Sequence, residues 1–268
     1  MQSPFSRTNY GYKSLNCLHY FRCVVESDPH VKGCKLDDAF LVLFLRSAQY
    51  RVKEAKENLI NYVQQIRDKP DLFCVPDDVQ SLVESNIAQM SKSSTTKHDI
   101  IMFKVSNWNL NQMNTEKVVQ MLILSVMLSE KGQKNGIHLV MDCSDVGVRQ
   151  LYSIGFSDGL LSFDFLYTIL PIRVLKVHII RASKVVRGLG KWVIPLLGGD
   201  LSDRIIFHDD QDLRDLHRCC PASSLLPEFT GTAEQSYSTE DYVNMIEARR
   251  TIMENTWNSI KSNLPSDS

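Results

Sequence analysis

At 268 residues, with 43% apolar and 23% charged side chains, the chain is long enough for one large domain, or for one domain and a small companion, around a real core. A formal charge of −1 argues against a protein built for bulk nucleic-acid binding, which needs a strongly basic field, so no nucleic-acid partner is expected. Seven cysteines, an odd number without a Cys-x-x-Cys pair, read as reduced thiols of a cytosolic protein.

The polar opening "MQSPFSRTNYGYKS" lacks the apolar core of a signal peptide. "LNCLHYFRCVVESDP" fits a short helix, and residues 37–68, "DDAFLVLFLRSAQYRVKEAKENLINYVQQIRD", fit two more. In the second of these, Val52, Ala55, Leu59, Tyr62, Val63 and Ile66 recur every three or four residues, with charged residues between. Asp37 or Asp38 can cap the first, and the run ends at Pro70.

Past a polar loop at 91–99 the pattern changes. "IIMFKVSNW" (100–108), "GIHLVMD" (136–142), "IRVLKVHII" (172–180) and "RIIFHD" (204–209) are β-branched-rich runs bounded by turn residues, and predict strands. Helices are predicted between them: an apolar one at Val118–Leu128, then about 153–168 and 184–197. This alternation predicts an α/β fold with a parallel or mixed sheet. The longest apolar stretch, "LLSFDFLYTILPIRVLKVHII", is interrupted by Asp164, Pro171, Arg173 and Lys176, so a membrane span is not expected. The tail predicts a helix capped by Ser238 or Thr239, with Tyr242, Met245, Ile246, Ile252 and Trp257 available to dock on the body.

One segment is two-faced. At about 100° per residue, Val185, Val186, Leu189, Trp192, Val193 and Leu196 fall within an arc of about 120°, while Lys184, Arg187 and Lys191 gather opposite. Gly188 and Gly190 each cost roughly 1 kcal/mol against Ala in a helix, so something other than propensity favours the segment.

No catalytic constellation emerges. "GLGKW" lacks the spacing and the Lys-Ser/Thr ending of a phosphate loop, and no Gly-x-Ser-x-Gly elbow is present. Cys143 beside Asp142 has no histidine placed by sequence to activate it. His208-Asp209-Asp210 fits a turn after a strand better than a metal site. The expectation is a non-enzymatic protein with no metal and no resident cofactor.

The order of pieces resembles the CRAL-TRIO family of hydrophobic-ligand carriers, most closely its tocopherol- and retinaldehyde-binding branch. The resemblance runs from "DPHVKGCKLDDAFLVLFLRSAQYRVKEAKENLINYV" through "NGIHLVMDCSDVG", "ILPIRVLKVHII" and "IIFHDDQDLRDL" to "LLPEFTG", about residues 15–260. It implies a helical module at 15–75, a lipid-binding domain at 76–235 whose hydrophobic cavity is closed by a mobile gate helix, and a docking helix within 236–268. Residues 183–197 would be that gate.

The resemblance places Val119, Leu122, Val126, Ile137, Leu139, Met141, Phe165, Leu170, Ile172 and Val177 along the lipid pocket, although plain core is the first reading of any one of them and only a cavity separates the two. Arg173 and Arg204, with Lys184, Arg187 and Lys191, match or supplement basic positions expected to meet headgroups or phosphoinositides; a solvated charged face is the alternative. Three departures stand out: Arg181-Ala182-Ser183 replaces an Asn-x-Pro, Asp145 replaces a glycine, and Ala48 replaces an arginine. The implied function is binding and intermembrane transfer of a hydrophobic small molecule by a cytoplasmic protein in reversible contact with anionic membranes. The alternative is a phosphoinositide-sensing membrane adaptor with a closed or vestigial pocket.

Overall fold

The computed structural model describes residues 12–92, 96–108, 115–146, 170–197, 202–234 and 236–263. Three helices open the chain: α1 (Tyr12–Glu26), α2 (Asp38–Ser47) and α3 (Val52–Asp68). Asp37 caps α2, its carboxylate accepting the Phe40 N–H at 2.7 Å. All six residues from Phe40 to Leu45 are buried. A short α4 (Val79–Glu84), which the sequence pattern does not predict, leads into the sheet.

The sheet has five strands in sequential order: β1 (Ala88–Met90), β2 (Asp99–Lys104), β3 (Ile137–Asp142), β4 (Val174–Ile180) and β5 (Ile205–Phe207). β1, too short to show a period, pairs antiparallel with β2; the other three pairings are parallel. Helices α5 (Thr115–Leu128) and α6 (Glu130–Asn135) connect β2 to β3, and α7 (Lys184–Val193) connects β4 to β5. The helix expected at 153–168 lies outside the described residues.

Sequential order has a geometric consequence. Right-handed crossovers stepping one way across a parallel sheet all fall on the same face. The front face, Ile101, Phe103, Leu139, Val177 and Ile179, accordingly shares one core with α5. The back face, Ile100, Met102, Val140 and Ile180, needs a separate cover. It is supplied by α8 (Arg214–Cys219) and the turns after it, through Leu216, Cys220, Leu225, Leu226 and Phe229.

The long α9 (Thr239–Lys261) starts in a reciprocal cap: Ser238 Oγ accepts the Asp241 N–H, and Asp241 accepts the Ser238 N–H. It returns to the amino-terminal helices. Edge-to-face rings run from Phe40 and Phe44 to Tyr62, then Phe73, then Trp257. Lys35 N–H donates to Ser259 Oγ at 2.7 Å, and the Arg67 guanidinium donates to Asn263 O. Of the expected docking residues, Tyr242, Ile246 and Trp257 are buried, while Met245 and Ile252 are half-buried.

Two of the sequence departures acquire a reason. Asp145 and Arg181 both hold the left-handed backbone region, at φ 59° and 52°. Glycine or asparagine reaches that region at least cost, which is what the resembled pattern puts there. Arg181 is held in it by contacts: its guanidinium grips Asp142 at 2.9 and 2.6 Å, and its N–H donates to Asp210 at 2.8 Å.

Candidate functional site

The site begins with α5, whose apolar run leaves few polar groups to satisfy. Val119, Leu122 and Val126 are buried, and they share one core cluster with Ile137 and Leu139 of β3, Val177 of β4, and Leu170 and Ile172 just before β4. Met141 packs against the same cluster. Strand register explains the grouping, because Leu139 pairs with Val177 and Met141 with Ile179. Nine of the ten expected lining residues therefore lie together on the front side of the sheet; Phe165 lies outside the described residues.

α7 crosses the β5 edge of this layer. Ser183 caps it, accepting the Val186 N–H at 3.3 Å. Unlike α5, it has no buried residue. Val185, Leu189, Trp192 and Leu196, the last in the 3₁₀ turn that follows, are four of the seven exposed large apolar side chains among the described residues, and Trp192 is 79% exposed.

The surface of α7 that meets the protein is not the centre of its apolar stripe. Val186 packs on the core, and Gly190 lies so close to β5 that a Cβ there would sit 2.6 Å from Phe207 Cζ. The Arg187 guanidinium lies over the Phe207 ring at 5.6 Å and donates to the carbonyls of Ala182 and His208. Val186, Gly190 and Arg187 occupy one arc roughly 100° wide. The rest of the stripe, from Trp192 to Val185, turns outward. Gly188, by contrast, faces open space.

The expected basic set divides. Lys184 and Lys191 are exposed on the flank away from the apolar stripe. Arg187 is committed to the two carbonyls and Phe207, and Arg204 donates to Val174 O. Arg173 is half-buried, with its carbonyl accepting the Ile137 N–H at 2.9 Å. Of the five, Lys184 and Lys191 of α7 are the two exposed to solvent.

Sequence reasoning missed a second feature, on the back face. His98, His138, His178 and His208 form a row across the sheet, with ring centroids 5.6, 5.3 and 5.1 Å apart. His138 Nδ1 lies 3.1 Å from His178 Nε2, and His178 Nδ1 lies 2.8 Å from His208 Nε2. Burial, reinforced by neighbouring positive groups, pushes His138 down to about 4 and His178 to about 3, so both rings are neutral at physiological pH. Strand pairing alone creates the row, from residues 30 to 40 positions apart. Cys143 is buried, and burial beside Asp142 pushes its thiol up to about 12, which leaves it unreactive.

Residues 85–231 match a family model described as the CRAL/TRIO domain. Over 225 residues the chain is 26% identical to the human (Homo sapiens) protein called alpha-tocopherol transfer protein-like, covering 82% of this chain and 66% of that one. It is 24% identical over 223 residues to clavesin-1 of Xenopus laevis, covering 80% and 67%. The chain therefore spans just under two thirds of the length of the tocopherol-transfer-like relatives it matches. The crystal structure of Sfh5 shares the fold, with a TM-score of 0.57 at 14% identity over 91% of this chain and 99% of that one.

Proposed function

The chain belongs to the CRAL/TRIO domain family, and from that premise we propose that it binds a hydrophobic small molecule and carries it between membranes without catalysing a reaction. The observation that carries this reading is the outward stripe of Val185, Leu189, Trp192 and Leu196 on a helix that, among the described residues, meets the sheet through Val186, Gly190 and Arg187. A soluble protein gains nothing by leaving a tryptophan in water; an element that docks on a bilayer does.

The energetics favour carriage of this kind. A lipid of ~25 carbons loses on the order of 20 kcal/mol if exposed to water, at ~0.8 kcal/mol per CH₂. Transfer from a bilayer to an apolar pocket exchanges one greasy surrounding for another, so the net change is small and the aqueous gap is the barrier. A gate that opens against the membrane removes the gap. The front layer of Val119, Leu122, Val126, Leu139 and Val177 supplies the lining in this reading, with α7 as gate. The division into a helical module (15–75), a lipid-binding domain (76–235) and a docking tail (236–268) goes with it.

Headgroup attraction is the smaller part. Lys184 and Lys191 each contribute on the order of 1 kcal/mol near an anionic leaflet, enough to bias docking and too little to anchor it. Tocopherol, a retinoid or a lipid of similar bulk is the class of cargo proposed.

The experiment is organic extraction of the purified protein with mass spectrometry of the extract, followed by transfer of labelled lipid between vesicles. A bound apolar molecule and accelerated transfer are expected. A protein that stays empty and moves no lipid refutes the reading, and membrane binding without transfer would favour the phosphoinositide-sensing adaptor instead.

A further inference from the structure

The back face holds an arrangement that lipid carriage does not use. One nitrogen from each of His138 and His178 and the Cys220 sulfur lie within 4.8 Å of one another, and all three residues are buried. We propose that His138 Nδ1, His178 Nε2 and Cys220 Sγ form a binding site for a single transition-metal ion, Zn²⁺ by the character of its ligands.

Chemistry and geometry point the same way. Two imidazoles and one thiolate suit Zn²⁺ and its first-row neighbours and do not suit Mg²⁺ or Ca²⁺, which require oxygen. With bonds of about 2.0–2.1 Å to nitrogen and about 2.3 Å to sulfur, a tetrahedral ion holds these ligand atoms roughly 3.3–3.6 Å apart. The two facing nitrogens, at 3.1 Å, already sit near that separation, and the sulfur lies within 4.8 Å of a nitrogen of each ring.

The surroundings supply what a metal site needs beyond its ligands. A ligating histidine commonly donates its other N–H to a fixed acceptor, which sets the tautomer. His178 does this when its Nδ1–H donates to His208 Nε2, 2.8 Å away. A cleft of about 260 Å³, lined by His98, Asp99, Glu130 and Tyr237 among others, lies on the far side of the His98 ring, which itself abuts His138.

The proton balance is simple. In the empty site the Cys220 thiol carries its proton, as an ordinary thiol does at neutral pH. Binding forms two N–metal bonds and one S–metal bond, keeps one water of the entering ion in the fourth position, moves the His138 proton from Nδ1 to Nε2, and releases one proton, that of the thiol, to solvent. The ion would fasten β3 and β4 to the segment that covers the back of the sheet.

The test uses the whole chain, stripped with a chelator under reducing conditions and titrated with Co²⁺. We expect one ion per chain, a thiolate-to-cobalt charge-transfer band with the visible bands of a tetrahedral site, displacement by Zn²⁺, and release of one proton. Cys220→Ala should lose the band, while Cys219→Ala and Cys74→Ala keep it. Absence of the band in the wild type, or its survival in a folded Cys220→Ala protein, overturns the proposal. Because Cys220→Ala can also fail to fold, Zn-edge X-ray absorption of the zinc-loaded wild type decides the matter without any variant: one sulfur and two imidazoles support the site, and a shell without sulfur overturns it.

Discussion

The Trp257 indole N–H donates to the Tyr62 hydroxyl at 2.8 Å, joining two fully buried rings that lie 195 residues apart in the chain. Tyr62→Phe keeps the packing and strands the indole N–H, so it should cost about 1–3 kcal/mol. Trp257→Ala loses far more contact and should cost about 3–5 kcal/mol. Urea titrations of both singles and the double should show coupling; strict additivity would mean the bond contributes nothing.

The two glycines of α7 should respond oppositely to the same methyl group. Gly188→Ala meets open space and should stabilise the helix by up to about 1 kcal/mol. Gly190→Ala drives its Cβ into Phe207 and should loosen α7 from β5. Hydrogen exchange of residues 184–193 reads both: slower in the first variant, faster in the second. Equal behaviour would show that Gly190 is not the contact.

Membrane docking should depend on grease more than charge. Trp192→Ser, at an exposed position, should leave the melting temperature unchanged and weaken partition into anionic vesicles roughly tenfold or more. Lys184→Glu with Lys191→Glu should weaken it less and in a salt-dependent way. Arg187→Glu belongs to neither class, since it breaks the bonds to Ala182 and His208 and should lower stability before it reports on lipid.

Asp142 and Arg181 form a fork, with the carboxylate fully buried and the guanidinium one-third exposed. Arg181→Gln leaves that carboxylate without its charge partner and should destabilise by about 3–5 kcal/mol. Arg181→Gly relaxes the backbone but loses the fork as well. If Arg181→Gly proves as stable as the wild type, backbone strain outweighs the ion pair.

Asp28 gives the pH dependence. Burial opposes its charge, but bonds from Lys56 at 2.7 Å and from the His30 N–H at 2.9 Å prevail, holding the carboxyl below the usual range. A lowered folded pKa contributes stability above the unfolded value, near pH 4, and loses it as pH falls through the folded value. Asp28→Asn should therefore cost about 1–2 kcal/mol at pH 7, discounted because Lys56 is partly exposed, and progressively less as the pH falls below about 4. A loss that stays constant as the pH falls would contradict the assignment.

How far such features could be read from sequence depends on whether neighbours in space are neighbours in the chain. The three- and four-residue spacing around Leu59, Tyr62 and Ile66 is local, and it located α3 well. The same spacing identified α7 but not its orientation, because a contact made by Gly190 has no side chain to announce it. The strands around Leu139 and Val177 were visible as apolar runs, yet β1 is three residues long and α6, "EKGQKN", has no apolar period at all. The histidine row was invisible for a topological reason: His138, His178 and His208 meet only through the parallel pairing of β3, β4 and β5. Asp145 and Arg181 were visible as departures from a pattern, and only their positive φ angles explained what the pattern encodes.

The return of α9 to the amino-terminal helices bears on how the protein is made. On the ribosome those helices emerge first, yet Tyr62 and Phe73 wait for Trp257 until nearly everything between has been translated. Through that interval a sticky aromatic surface stands open, and the nascent chain calls for a chaperone to shield it. A premature stop anywhere before residue 239 would leave that surface uncovered for good, making a substrate for degradation in place of a shortened but folded protein.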